Sequence, residues 1–288
     1  NMRLPFQFAF IILLLCCNNL YSQQPFNFKF KTYTASNGLV HNFTKKCLKD
    51  SKGFLWIITQ HGLSRFDGVH FKNFEHSNTD STSLPENDLE DIAIDKNDNI
   101  WLAYNSGLCF YNQATHTFSI IKQNGKLLKS GSIVFDKKRN CIWSVNMDGY
   151  SQIDGNSHAI RTISFLIKED NSTDINPMLL DSGDRLWIPY SRSRYHCIHL
   201  KTGSQYFHAK RTEPISFYED EEKNIWLCTW QNGFRRIIIK DHTHEHILHG
   251  NPFLKIAADT YDFISQGAAQ SSILTGDSIL WVVQNTGG

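Results

Sequence analysis

Six tryptophans, Trp56, Trp101, Trp143, Trp187, Trp226 and Trp281, recur at intervals of 45, 42, 44, 39 and 55 residues, each inside the same local phrase. A repeat of this length is that of a β-propeller, in which every copy is one four-stranded antiparallel sheet, and it restricts the chain to an all-β radial fold. The phrase reads Asp-x-x-Gly-x-Leu-Trp in its fullest form, from Asp50 through Gly53 to Trp56. It returns from Asp95 to Trp101, from Asp136 to Trp143 with one extra residue, and from Asp181 to Trp187. Asn224-Ile225-Trp226 and Leu280-Trp281 echo its end. A glycine follows six residues after the tryptophan at Gly62, Gly107, Gly149 and Gly287; it shifts to Gly233 after Trp226 and becomes Ser193 after Trp187.

The first repeat shows how the phrase makes a blade. Phe43 to Leu48 and Phe54 to Ile58 read as strands around the turn Asp50 to Gly53, where the aspartate accepts backbone hydrogen bonds and the glycine takes positive φ. Gly62 reverses the chain into Leu63 to Phe66, and Asp67-Gly68 is a hairpin signal ahead of a fourth strand, Val69 to Phe74. The second repeat follows with Leu89 to Ile94, Ile100 to Tyr104, Leu108 to Tyr111 and Thr117 to Lys122, Asn112 standing in the place of Asp67. The tryptophans fall on second strands, where a large ring fills the space between neighbouring sheets. Phe26 to Thr34 alternates phenylalanine with polar residues and reads as an extra strand. The chain stops at Gly288 before a third strand of the sixth repeat is written, so six repeats are begun and an incomplete ring is expected.

Ahead of the repeats lie Met2-Arg3, an apolar run from Phe6 to Leu15 and a polar exit at Tyr21-Ser22-Gln23, the three regions of a secretory signal. The run is about half the length a membrane span needs. The expected organisation is a signal peptide over residues 1–22 and a propeller over 23–288. Its removal leaves Cys47, Cys109, Cys141, Cys197 and Cys228 in strand-like segments without Cys-x-x-Cys pairing, read as small buried side chains. With 29 basic against 28 acidic residues and no long run of either sign, nothing points to nucleic acid.

The run Gly38-Leu39-Val40-His41-Asn42, then Cys47-Leu48-Lys49-Asp50, Gly53-Phe54-Leu55-Trp56-Ile57, Thr59 and Gly62-Leu63-Ser64-Arg65-Phe66-Asp67-Gly68, resembles the two-component regulator propeller repeat. The resemblance implies the periplasmic sensor region of a Bacteroidetes hybrid histidine kinase, commonly two successive seven-bladed rings. Membrane attachment would come only through segments beyond this chain, and the intact sensor could pair as a homodimer. It also implies a polysaccharide fragment as the signal. No kinase motif has a counterpart here, so this stretch is expected to sense rather than to catalyse and to need no cofactor. The residues leave two other readings open, a secreted propeller lyase or hydrolase and a passive protein-interaction ring.

No P-loop, Gly-x-Gly-x-x-Gly, His-Glu-x-x-His or Gly-x-Ser-x-Gly motif occurs. The histidine-rich stretch Asp241 to His249 could place His244 and His246 on one strand face, but its register makes it the outer hairpin of the fifth blade, so no metal site is expected. The loops between second and third strands, by contrast, change in every copy while the tryptophans and glycines repeat. They contribute Gln60 and His61, Tyr104 and Asn105, Asp148, Tyr190 and Arg192, and Trp230 and Gln231, which should meet on one face with connections such as Ser77 to Asn87. Rings offer apolar platforms and amides match hydroxyls, so these nine residues are the candidate oligosaccharide site.

Overall fold

The structure, a computed structural model, describes residues 31–166, 175–189, 195–208, 213–229 and 234–239, with strands at 247–248, 251–252, 256–257, 268–275 and 279–285. The chain divides into two units, Asn1–Tyr33 and Thr34–Gly288, and the propeller occupies the second. Five four-stranded antiparallel sheets follow one another, each paired in chain order from inner to outer strand. Blade 1 is Thr44–Lys49, Leu55–Thr59, Gly62–Phe66 and Phe71–Phe74; blade 2 is Leu89–Ile94, Ile100–Tyr104, Gly107–Asn112 and Thr117–Ile120. Blade 3 is Ser132–Asp136, Cys141–Asn146, Gly149–Asp154 and Ile160–Ser164; blade 4 is Leu179–Leu180, Arg185–Pro189, Tyr195–His199 and Ser204–His208. Blade 5 uses Pro214–Glu219, Ile225–Thr229, Phe234–Ile239 and Ile256–Ala257. Ala268–Thr275 pairs with Ile279–Asn285 as the start of the sixth repeat, with Trp281 opposite Ile273.

Each repeated aspartate does more than close its turn. Asp50 accepts the backbone N–H of Lys52 and Phe54 on one carboxylate oxygen and the indole Nε1–H of Trp56 on the other, at 2.9 Å. The clasp recurs from Asp95 to Trp101 at 3.0 Å, Asp136 to Trp143 at 3.1 Å, Asp181 to Trp187 at 2.8 Å and Asp220 to Trp226 at 2.7 Å. A buried indole N–H needs an acceptor, and the carboxylate that organises the turn supplies it. Burial alone would raise the Asp136 carboxyl, but hydrogen bonds from Arg139 and Trp143 outweigh it and hold the pKa below the usual value. Three residues before the tryptophan of each of the five blades the backbone turns left-handed, at Gly53, Asp98, Asn140, Asp184 and Lys223 with φ of 91°, 60°, 49°, 63° and 67°. The first blade alone uses glycine there. Two of the others place side chains with partners there: Asp98 accepts the backbone N–H of Ser51 in the preceding blade, and Asp184 binds Lys138 at 2.6 Å and Arg139 at 2.8 Å. Those two cations lower the Asp184 pKa to about 2, the Arg139 hydrogen bond being the largest cause.

Held by their clasps, the rings pack between blades. Trp56 meets Tyr111 of blade 2 at 5.7 Å, Trp101 meets His158 of blade 3 at 5.5 Å, and Trp187 meets Phe217 of blade 5 at 5.4 Å. The repeated glycine has its own cause. A Cβ on Gly149 would lie 2.2 Å from the carbonyl oxygen of Ile163, and one on Gly62 would lie 2.7 Å from that of Phe74, because the third strand begins pressed against the outer strand's backbone.

Several expectations are corrected. The fourth strand of blade 1 begins at Phe71 rather than Val69, because Asp67 Oδ1 accepts the N–H of both Val69 and His70 and keeps them in the turn. The outer strand of blade 2 ends at Ile120, and Lys122–Gln123 then pairs with Lys126–Leu127 around Asn124-Gly125, both at positive φ. In blade 5 the outer strand is Ile256–Ala257, while Ile247–Leu248 pairs separately with Asn251–Pro252, so the histidine-rich stretch does not supply the blade's fourth strand. His244 and His246, like the signal segment and most of Phe26 to Thr34, lie outside the described residues; 31–34 form no strand. Of the five cysteines, Cys109, Cys141, Cys197 and Cys228 are buried, but Cys47 is exposed on the inner strand of blade 1.

Candidate functional site

Each blade brings its second strand up to a tight reversal, Thr59 to Gly62, Tyr104 to Gly107 and Asn146 to Gly149 in the first three, and these reversals share the end of the barrel opposite the aspartate turns. The long connection after blade 1 joins them: His76 N–H donates to Asn87 Oδ1 at 2.7 Å, and Ser106 hydrogen-bonds Glu86. On this face an open cleft of about 590 Å³ lies across blades 2, 3 and 4. Blade 2 lines it with Glu90 and Asn105, blade 3 with Lys129, Ser130, Gly131, Asn146, Met147 and Asp148, and the approach to blade 4 with Ile175 and Asn176.

The cleft is preorganised from beneath. Asn146 Oδ1 accepts the N–H of Asp148 and Gly149, and Asn176 Nδ2 donates to the carbonyl of Pro214 at 2.8 Å. Below the floor the inner strands are stitched together by fully buried Asp91, which accepts Lys46 of blade 1 at 2.6 Å, Ser132 Oγ of blade 3 at 2.6 Å and the Ile133 N–H at 2.9 Å. Ser132 Oγ in turn accepts the Met178 N–H at 2.9 Å, carrying the chain of bonds to blade 4. At the rim Lys45 pairs with Asp88 at 2.8 Å and Glu90 at 3.1 Å. Burial works against the lysine's charge, but the two carboxylates prevail and raise its pKa.

Of the residues read from the sequence, Asn105 and Asp148 meet in this cleft. Gln60 and His61 are exposed on the reversal of blade 1, outside it. Tyr104 is a correction: its side chain is only 1% exposed and belongs to the core between blades 1 and 2, where it also covers Gly107. It offers no open ring face, and burial pushes its phenol pKa up. Tyr190, Arg192, Trp230 and Gln231 lie outside the described residues. Sequence reasoning missed Lys45, Glu90 and Asn176. All three stand eleven residues ahead of a tryptophan, so an alignment anchored on Trp56, Trp101 and Trp187 exposes a position that changes as sharply as the loops. Among the described residues no three His, Cys, Asp or Glu side chains converge as metal ligands do, and no helix is long and apolar enough to cross a membrane.

No family model matches the chain. Histidine kinase P4 of Formosa agariphila is 35% identical over 77 residues, which make up 27% of this chain and 5% of that protein. Among solved structures, the extracellular domain of a hybrid two-component system of B. thetaiotaomicron aligns with a TM-score of 0.71 at 19% identity, over 88% of this chain and 34% of that one. The chain is a β-propeller similar to the extracellular regions of two-component sensors. A second such domain from the same organism aligns with a TM-score of 0.55 at 16% identity, over 84% of this chain and 37% of that one. PorZ, a surface component of the type-IX secretion system of Porphyromonas gingivalis, aligns at 0.58 with 12% identity, over 84% of this chain and 37% of that one. The chain thus spans about a third of the length of these structures.

Proposed function

We propose that this propeller is the exported, ligand-sensing part of a two-component sensor and that its ligand is an oligosaccharide bound at the loop face. The observation that carries the reading is the cleft across blades 2 to 4, where a repeating frame presents non-repeating polar groups. Asn105, Asn146 and Asn176 supply amides, Asp148 a carboxylate, Lys129 an ammonium, and Met147 and Ile175 apolar surface. Amides and charged ends match hydroxyls in both donor and acceptor directions, while the apolar side chains suit the faces of sugar rings. Because the bonds through Asp91 join the inner strands beneath the cleft, occupancy would bear on several blades together. Calorimetry of the chain against neutral and acidic oligosaccharides tests this reading. Binding to at least one ligand, weakened by Asn105→Ala without loss of fold, is the expected result; a folded chain that binds none of them refutes it.

A further inference from the structure

Outside the cleft, blade 1 carries an aromatic group that its core does not use. Phe43, immediately ahead of the inner strand, is 59% exposed. It is nonetheless firmly placed, since its carbonyl accepts the Gln60 N–H at 3.1 Å and its own N–H donates to His41 Nδ1 at 3.1 Å. That bond uses Nδ1 as an acceptor and leaves the other ring nitrogen, Nε2, as the donor. The His41 ring lies against that of His61, with centroids 4.5 Å apart and planes inclined by 43°. The loop beneath is tied down as well: Val40 N–H donates to Ser64 Oγ at 3.0 Å, Ser64 Oγ donates to Asn73 Oδ1 at 2.7 Å, and Asn73 Nδ2 donates to the Gly38 carbonyl at 2.9 Å. An exposed ring carried on a backbone fixed this way is presented at a defined place on the loop face, which limits the chain ordering that a stacking partner has to impose.

The platform and the cleft belong to one rim. Lys45, two residues beyond Phe43 and so roughly 7 Å along an extended strand, pairs with Glu90, which lines the cleft. Lys45 also pairs with Asp88, so the rim between the two sites carries one ammonium shared by two carboxylates.

We propose that Phe43, with the neighbouring imidazoles of His41 and His61, forms a second sugar-stacking subsite, and that the ligand is an extended oligosaccharide bridging blade 1 and the cleft rather than a short sugar held in the cleft alone. This rests on the oligosaccharide reading above and adds a length requirement to it. Gln60, exposed beside the platform, and the Nε2–H of His41 supply hydroxyl partners for the sugar that stacks there.

The test is calorimetry with two ladders, laminari-oligosaccharides and oligogalacturonides from disaccharide to hexasaccharide, against the parent chain, Phe43→Ala, Phe43→Trp and Asn105→Ala. Affinity should rise with length in the ladder that binds. Phe43→Ala should weaken the hexasaccharide by about fivefold or more, the loss of one stacking anchor, and leave the disaccharide unchanged. Phe43→Trp should keep the gain with length, and Asn105→Ala should weaken every member. Because Phe43 is exposed, its replacement should leave the urea midpoint near that of the parent. If Phe43→Ala matches the parent at every length while Asn105→Ala weakens binding, the platform is refuted and the cleft stands. A folded parent that binds neither ladder overturns both.

Discussion

Replacing Asp95 by alanine tests the clasp that makes each blade. Asp95 is 5% exposed, and its carboxylate accepts the N–H of Asn97 at 2.8 Å and of Asn99 at 3.0 Å, the Asn99 side chain at 2.9 Å and Trp101 Nε1 at 3.0 Å. Trp101 is fully buried, so no water can take over the indole, and an orphaned buried donor costs about 1–3 kcal/mol. The backbone donors of the turn sit nearer solvent and recover part of their loss, adding about 1–2 kcal/mol. The variant should therefore lose on the order of 3–4 kcal/mol in urea unfolding followed by tryptophan fluorescence. Trp101→Phe removes the donor together with its need for an acceptor, so Asp95→Ala should cost about 1–2 kcal/mol less in that background. A loss below about 1 kcal/mol for Asp95→Ala, or equal losses in both backgrounds, would refute the argument that the repeated aspartate is kept for the tryptophan.

Gly149→Ala should cost about 1–3 kcal/mol in the same assay, since the new methyl would sit 2.2 Å from a backbone oxygen that cannot swing away; an unchanged midpoint would contradict the close approach. His196 is buried between Phe165 and Phe207, and burial lowers its pKa from 6.5 to about 3. The unfolded chain takes up this proton below about pH 6.5 while the folded one does not until about pH 3, so stability should fall as pH drops through that window. The slope from this one group is at most about 1.4 kcal/mol per pH unit, and His196→Gln should remove it. Tyr104→Ala should act as a core deletion, costing about 3–5 kcal/mol, whereas Asn105→Ala next to it should act on binding alone; comparable melting of the two variants would contradict their assignment to core and mouth.

The architecture was legible because a propeller repeats its solution. Tryptophan spacing and the aspartate turn answer a local requirement that recurs in every described blade, and the glycine six residues on answers one that recurs in the first three. The indole partner was not legible from one copy, since Asp50 already explains itself as a turn residue; Asp220 was passed over because only the end of its phrase, Asn224-Ile225-Trp226, was matched to the other copies. Asn124-Gly125 carried the signal for the extra hairpin but fell between repeats. Two of the ten residues lining the cleft, Asn105 and Asp148, were read from loop variation. Tyr104 was misplaced because it is the last residue of a second strand buried at every position, and the exposed loop begins only at Asn105. Glu90 and Asn176 reach the cleft from the blades' inner edges, and Phe43 stands ahead of a strand, so neither appears when only the second-to-third-strand loops are compared.

Hydrogen–deuterium exchange with and without a bound oligosaccharide asks most directly whether the loop face is the sensing face. Protection is expected in peptides covering 40–44, 59–62, 103–107, 128–132 and 145–149, with none added at the aspartate turns 50–54, 95–99 and 136–140 on the opposite face. Protection centred on those turns, with the loop peptides unchanged, would contradict the account.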